Sequence, residues 1–184
     1  MKSPRDALVD HLPALRAFAR GLTRDATLAD DMVQETLVKA WSAIDRFDPD
    51  TNMRAWLFTI LRNTYYSNRR KAGREVEDVD GIMAGTLSQA PAHDGKLQFA
   101  AFKRAFDTLP LEQREALLLV GAMGVSVAEA AETCGVAPGT IKSRAARGRA
   151  RLAELLDLGP EGIGNLSAMP VDTSGASGSR KTTA

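Results

Sequence analysis

The stretch Val125–Leu152, VSVAEAAETCGVAPGTIKSRAARGRARL, reads as two short helices joined by a tight turn. Ser126 can cap the first helix with its hydroxyl, and Val127, Ala130 and Ala131 give it an apolar stripe. Gly135 stands where the chain must turn sharply, at a position that suits a positive φ. Pro138 fits the first turn of the second helix, where a missing N–H costs nothing. Small Ala131 permits close approach of the two helices, with Val136 and Ile141 filling the wedge between them. From Lys142 onward come Arg144, Arg147, Arg149 and Arg151 with no acid among them. A helix-turn-helix whose second helix is cationic matches the major groove of a duplex: charge for phosphates, Arg forks for guanine edges. The simpler alternative is a solvated basic helix end that complements its own dipole.

Outward from this motif the apolar period stays near 3.6. Phe99, Phe102, Ala105, Phe106 and Leu109 predict a helix ending before Pro110, and Glu112 to about Met123 predicts another that buries Ala116, Leu117, Leu119 and Val120. Residues 72–98 change character: Gly73, Gly81, Gly85, Pro91 and Gly95 interrupt them, so a flexible acidic linker is expected, with at most a weak turn at Ile82–Leu87. Met53–Lys71 alternates a buried set (Trp56, Leu57, Ile60, Leu61, Thr64) with Arg62, Asn63, Tyr66, Asn68, Arg69 and Arg70. Rings, amides and guanidinium groups together suit unpaired bases; alternatively Tyr65 and Tyr66 only finish the core. Arg46–Asn52 is a turn-rich loop. Asp25 is a good N-cap for a helix to about Ile44 that turns Leu28, Met32, Val33, Leu37, Ala40, Trp41 and Ile44 inward and Asp31, Gln34, Glu35 and Lys39 outward. Before it, an amphipathic helix begins at Asp6, with Pro13 bending or splitting it, after a loose leader Met1–Arg5. No useful β alternation occurs, so the expected fold is all-α: two small helical bundles, 6–71 and 99–158, joined by linker 72–98 and followed by a disordered tail, 159–184.

The net charge of +1 says little, but its distribution is uneven. Residues 1–71 carry +3 (twelve Lys and Arg against nine Asp and Glu), and residues 72–98 carry −3 (two against five). The basic clusters lie at Arg62–Lys71 and Lys142–Arg151. The longest apolar run, Ala116–Ala128, is too short for a bilayer, and the N-terminus has no export signal, so a cytoplasmic protein is expected. Cys134 is the single cysteine and suits a reducing compartment. His11 and His93, the two histidines, belong to different segments and offer no ligand cluster with Cys134; no phosphate loop or dinucleotide fingerprint is present. We expect no catalysis, cofactor, metal or membrane span.

At this point the motifs carry a likeness. Asp30-Asp31-Met32-Val33-Gln34-Glu35-Thr36 through Trp41 resembles the polymerase-binding helix of bacterial sigma factors of the extracytoplasmic-function type, group 4 of the sigma-70 family. Arg54-Ala55-Trp56-Leu57-Phe58-Thr59-Ile60-Leu61-Arg62-Asn63 resembles that family's promoter-melting helix. Leu109-Pro110-Leu111-Glu112-Gln113-Arg114-Glu115 with Gly139–Arg144 is similar to its duplex-binding domain. Asn63–Ser67, Arg74–Asp78 and Leu118–Ala122 further resemble the alphaproteobacterial general-stress-response subgroup. The resemblance implies a factor that binds core RNA polymerase through its β and β′ subunits and directs initiation, here of stress-response genes. Asp31, Gln34, Glu35 and Lys39 would dock on the β′ clamp; Arg46, Asn52, Arg62, Asn63, Tyr66 and Arg69 would hold the opened minus-ten strand. Thr140, Lys142, Ser143, Arg144, Arg147 and Arg149 would read the minus-thirty-five duplex of promoter DNA. Ala145-Ala146 and Ala137 depart from the bulkier residues and the capping serine usual in the family. The likeness also implies an anti-sigma factor of the NepR type, released by a phosphorylated PhyR-type mimic. Two alternatives stand beside it: a sigma-like decoy that sequesters the anti-sigma factor, which should lose its basic DNA faces, and a helix-turn-helix repressor, which needs a dimerisation element and a sensor pocket.

Overall fold

The computed structural model describes residues 4–76 and 94–158, which contain helices and connecting turns and no strand. In order they are α1 (Pro4–Ala7), a 3-10 segment (Leu8–His11), α2 (Leu12–Thr23), α3 (Ala26–Ala43), a 3-10 turn (Ile44–Arg46), α4 (Met53–Val76), α5 (Asp94–Asp107), α6 (Leu111–Ala116) running into a π-helical stretch (Leu117–Ala122), α7 (Val127–Cys134) and α8 (Pro138–Leu155). Pro13 splits the first segment: it falls in the opening turn of α2, behind the 3-10 segment, where its missing N–H is best tolerated. Pro4–Ala7 is already a helical turn, so the loose leader expected to Arg5 is corrected from Pro4 onward.

In the first bundle α2 buries Leu15, Phe18, Ala19 and Leu22 at spacings of three and four, and α4 answers with Leu57, Phe58, Leu61 and Tyr65. The Phe18 and Phe58 rings meet at 4.9 Å, tilted by 54°. Asp25 caps α3 by accepting from the Leu28 N–H at 2.9 Å. The inward stripe of α3 is narrower than its periodicity predicts: Ala29, Met32, Val33, Thr36 and Ala40 are buried, whereas Leu28 and Trp41 are 57% and 55% exposed. Leu28 lies in the first turn, and Trp41 lies under the Arg5 guanidinium, 5.4 Å from the ring centre. Phe99, expected in the core of the second bundle, is likewise exposed.

The linker limits are also corrected. α4 persists to Val76, because one glycine (Gly73) costs a helix already several turns long only about 1 kcal/mol, and α5 begins at Asp94. The rest of the expected linker, including Ile82–Leu87, and the tail from residue 159 lie outside the described residues. The helix expected over Glu112–Met123 widens after Ala116; the Met123 N–H bonds the Leu118 carbonyl five residues back at 2.7 Å. Across this wider turn Leu117 packs by Gly148 and Leu118 by Gly21, while Leu119 is fully buried.

α7 opens on a capping box, with the Glu129 N–H bonding Ser126 Oγ at 3.2 Å and the Ser126 N–H bonding Glu129 Oε2 at 2.7 Å. It ends at Gly135 with φ of 66°, in the left-handed region that favours glycine. α8 starts from Ala137, which is exposed and supplies no side-chain cap. Ala137→Ser is therefore expected to add about 1 kcal/mol, seen as a thermal midpoint raised by roughly 2–4 °C for a chain this size. An unchanged or lowered midpoint would count against this account of the turn.

The two bundles expected from the sequence are present, and they pack against one another. A single cluster of buried residues runs from Leu8 through Phe58 to Leu118, Ile141 and Ala145. α4 packs on α7, and α2 packs on α6. The joining bonds are specific: Arg24 donates to the Asp107 carbonyl at 3.0 Å, buried Arg114 to the Leu22 carbonyl at 3.4 Å, and Arg54 to the Met123 carbonyl at 3.0 Å.

Candidate nucleic-acid and polymerase interfaces

α8 turns Ile141, Ala145, Gly148 and Leu152 inward, at steps of four, three and four. Gly148 lets α6 and α8 approach closely: a Cβ there would stand 2.7 Å from Leu117 Cδ1 and would displace that side chain. This register leaves Lys142 and Arg147 exposed and Thr140, Ser143, Arg144 and Arg149 half-buried. Ser143 Oγ donates to the Thr140 carbonyl at 3.0 Å, while Arg151 is spent on Glu154 at 2.9 Å. The expected duplex-facing residues thus spread over the whole surface of α8 outside its core stripe, Ser143 and Arg147 opposite that stripe, Thr140 and Arg144 along one edge and Lys142 and Arg149 along the other. Of the pair Ala145-Ala146, Ala145 belongs to the core, so only Ala146 alters the exposed surface.

The second cationic set divides. Arg46, Asn63 and Arg69 are exposed, with the Arg69 guanidinium 5.8 Å from the centre of the Tyr65 ring. Asn52 caps α4, its Oδ1 accepting from the Arg54 N–H at 3.0 Å, while its Nδ2 donates to Glu129 of the other bundle at 2.8 Å. Arg62 and Tyr66 are turned to the other bundle. Arg62 forks onto Glu115, Nε to Oε1 at 3.1 Å and Nη2 to Oε2 at 3.4 Å, and stacks over Tyr66 at 4.5 Å. Burial, with Glu115 beside it, pushes the Tyr66 phenol up to about 12. Burial holds the Glu115 carboxyl above its usual range, opposed by Arg62, Tyr66 and Arg144. In this arrangement Arg62 and Tyr66 are covered by Glu115, and a strand could reach Arg46, Asn63 and Arg69 first.

On α3, Asp31, Gln34 and Lys39 are exposed and Glu35 is half-buried. Lys39 Nζ bonds Glu35 Oε1 at 2.7 Å and Thr64 Oγ1 at 3.0 Å; Asn68 Nδ2 bonds Glu35 Oε2 at 3.0 Å. The hydrogen bonds from Lys39 and Asn68 hold the Glu35 carboxyl below its ordinary range. Exposed Val38 and Trp41 give this helix an apolar component that the sequence reading did not assign to it. Trp41 was hidden by its fit to the core period; Val38, off that period, was the available signal. The other residue missed is Glu115, a buried acid inside a motif read only for its family likeness.

Cys134 is buried, and its thiol is pushed up to about 11 chiefly by that burial, which leaves little thiolate near neutral pH. Among the described residues no group of three or more His, Cys, Asp or Glu could hold a metal, and no helix is long and apolar enough to cross a membrane.

Comparison with known proteins agrees with this geometry. The Sigma-70 region 2 family model matches residues 8–75, and that of Sigma-70, region 4, matches residues 99–152. The ECF RNA polymerase sigma factor EcfG of Rhodopseudomonas palustris (strain TIE-1) is 52% identical over 165 residues, covering 86% of this chain and 91% of that protein. The RNA polymerase sigma factor CnrH of Cupriavidus metallidurans is 32% identical over 163 residues, 82% of this chain and 85% of that one. Among solved structures, the sigma factor RpoE of Bartonella quintana, in complex with the anti-sigma factor NepR, superposes with a TM-score of 0.76 at 50% identity, covering 83% of this chain and 96% of that chain. The two bundles are therefore regions 2 and 4, and the chain belongs to the sigma-70 family as an extracytoplasmic-function sigma factor, a protein that directs RNA polymerase to initiate at particular promoters.

Proposed function

We propose that this sigma factor serves a stress response in the cytoplasm, docks on core polymerase through α3, grips the opened minus-ten strand with α4 and reads the minus-thirty-five duplex with α8. The observation that carries the reading is the placement of two cationic helix surfaces on separate bundles, Arg46, Asn63 and Arg69 on one and Lys142 and Arg147 on the other. Exposed amide and guanidinium groups beside aromatic rings suit a splayed single strand. A cationic second helix of a helix-turn-helix suits a closed groove. Asp31, Gln34, Glu35 and Lys39, with Val38 and Trp41 adjoining, form a polar docking face with an apolar anchor, the mixture found in protein interfaces. The R. palustris relative is named EcfG, and the B. quintana relative was solved with NepR; a NepR-type anti-sigma factor is accordingly the regulator assigned to this chain.

Asp31→Arg tests the docking face. Asp31 is exposed, so the fold should be unaffected, while affinity for core polymerase in a competition assay should fall roughly tenfold through like-charge or lost-pair effects at the interface. Unchanged affinity would remove Asp31 and its neighbours from the docking role.

A further inference from the structure

A single carboxylate reaches functional groups of both bundles. The Glu115 side chain on α6 is fully buried, and the Arg62 guanidinium that forks onto it is 17% exposed. The Tyr66 ring, over which Arg62 stacks at 4.5 Å, lies beside the same carboxylate, and Arg144 on α8 lies near enough to act on its charge. Around this pair one side of α4 is fastened along its length to the second bundle: Asn52 to Glu129 at 2.8 Å, Thr59 Oγ1 to Thr133 Oγ1 at 3.1 Å, then Arg62 to Glu115 at 3.1 Å. Gly21 of α2 touches Leu118 so closely that a Cβ at position 21 would lie 2.9 Å from Leu118 Cδ2 and nearer still to Cδ1.

We propose that Glu115 is an intramolecular latch: it holds regions 2 and 4 together with half of the strand-gripping face of α4 covered, and Arg62 exchanges it for a nucleic-acid phosphate when the regions part. The inference rests on the function proposed above for α4 and α8. A carboxylate and a phosphate present the same paired oxygens to a guanidinium fork, so Arg62 cannot serve both. Opening does not strand the acid: without α4 over it Glu115 meets water and keeps Arg144 as a neighbour, which avoids the cost of an unpaired buried charge. The device therefore biases both DNA faces, tying up Arg62 when closed and drawing on Arg144 when open.

The single cysteine reports on the latch without DNA or polymerase. Cys134 adjoins Thr133 on α7 and feels both Arg62 and Glu115. Alkylation of Cys134 by iodoacetamide at pH 8, with the radius of gyration from small-angle scattering, should find the full chain slow to react and compact. Glu115→Gln, which removes the charge with little change of shape, should expand and react roughly tenfold faster or more; losing the Glu115 charge also eases thiol ionisation, so the expansion is what reads opening in this variant. Gly21→Ala should do the same by wedging Leu118 away, although alanine favours α2 itself by about 1 kcal/mol; circular dichroism checks that its helices remain. The exchanged pair Arg62→Glu with Glu115→Arg should restore slow alkylation. If Glu115→Gln and Gly21→Ala both matched the parent in rate and size, or if the parent reacted as fast as it does in urea, the latch is overturned. An exchanged pair as reactive as Glu115→Gln would equally overturn the ion pair as its basis. Loss of promoter-directed transcription with alkylation behaving as stated would instead defeat the reading of α4 and α8.

Discussion

Phe58→Ala is expected to cost about 3–5 kcal/mol of folding stability, the usual range for emptying an aromatic site in a tight core. Phe58 is fully buried, and its ring packs on that of Phe18, itself fully buried, where α4 crosses α2. Neither helix can close the void alone, because Leu15, Leu22, Leu57 and Leu61 around it are also fully buried and already packed. Against a typical total of about 5–15 kcal/mol, such a loss leaves region 2 marginal. Urea unfolding followed by circular dichroism would show a lowered midpoint. Phe99→Ala is the internal control: this ring is 42% exposed, and its removal should change stability by no more than about 0.5 kcal/mol. Equal losses from the two substitutions, or a loss below about 1 kcal/mol for Phe58→Ala, would contradict the packing described.

Arg144→Ala and Asn63→Ala should separate the two steps of promoter use. Arg144 is half-buried at the edge of the core stripe of α8, and a guanidinium contact to a base edge is worth about 1–3 kcal/mol, so its loss should weaken closed-duplex binding by roughly 5–150-fold. Asn63 is exposed on α4, where an amide can meet the edge of an unpaired base. Its loss should leave duplex binding nearly unchanged and reduce strand opening, through a single-strand contact of about 1–3 kcal/mol. Both are measured with the variant bound to core polymerase, by gel shift on a minus-thirty-five duplex and by permanganate reactivity of the opened bases. Measurement on the polymerase complex matters because Arg144 also faces Glu115 in the free chain. If each variant impaired both steps equally, the assignment of α4 to strands and α8 to duplex would fail.

What was legible beforehand was local. Asp25, Ser126, Gly135 and Pro138 declare helix ends through their own hydrogen bonds or backbone preferences, and each does so here. Of the inward set of α8, Ile141 alone was assigned from its place beside the turn. What was not legible depends on neighbours distant in sequence. Nothing around Arg62 says that its fork meets Glu115, fifty-three residues on, rather than water or nucleic acid. Periodicity assigns Leu28, Trp41 and Phe99 to a core without knowing how wide a stripe the neighbouring helices can cover. The π-helical stretch escaped for a related reason: Leu117 and Leu118 fit an ordinary helix until they meet Gly148 and Gly21, both distant in sequence.

The most direct measurement is run-off transcription from genomic DNA fragments by cognate core polymerase, with and without this protein. Two tethered bundles acting on strand and duplex predict transcripts that begin at a defined set of promoters only when the protein is added, and that fade when a NepR-type anti-sigma factor is included. Transcription no different from that of core polymerase alone would contradict the account.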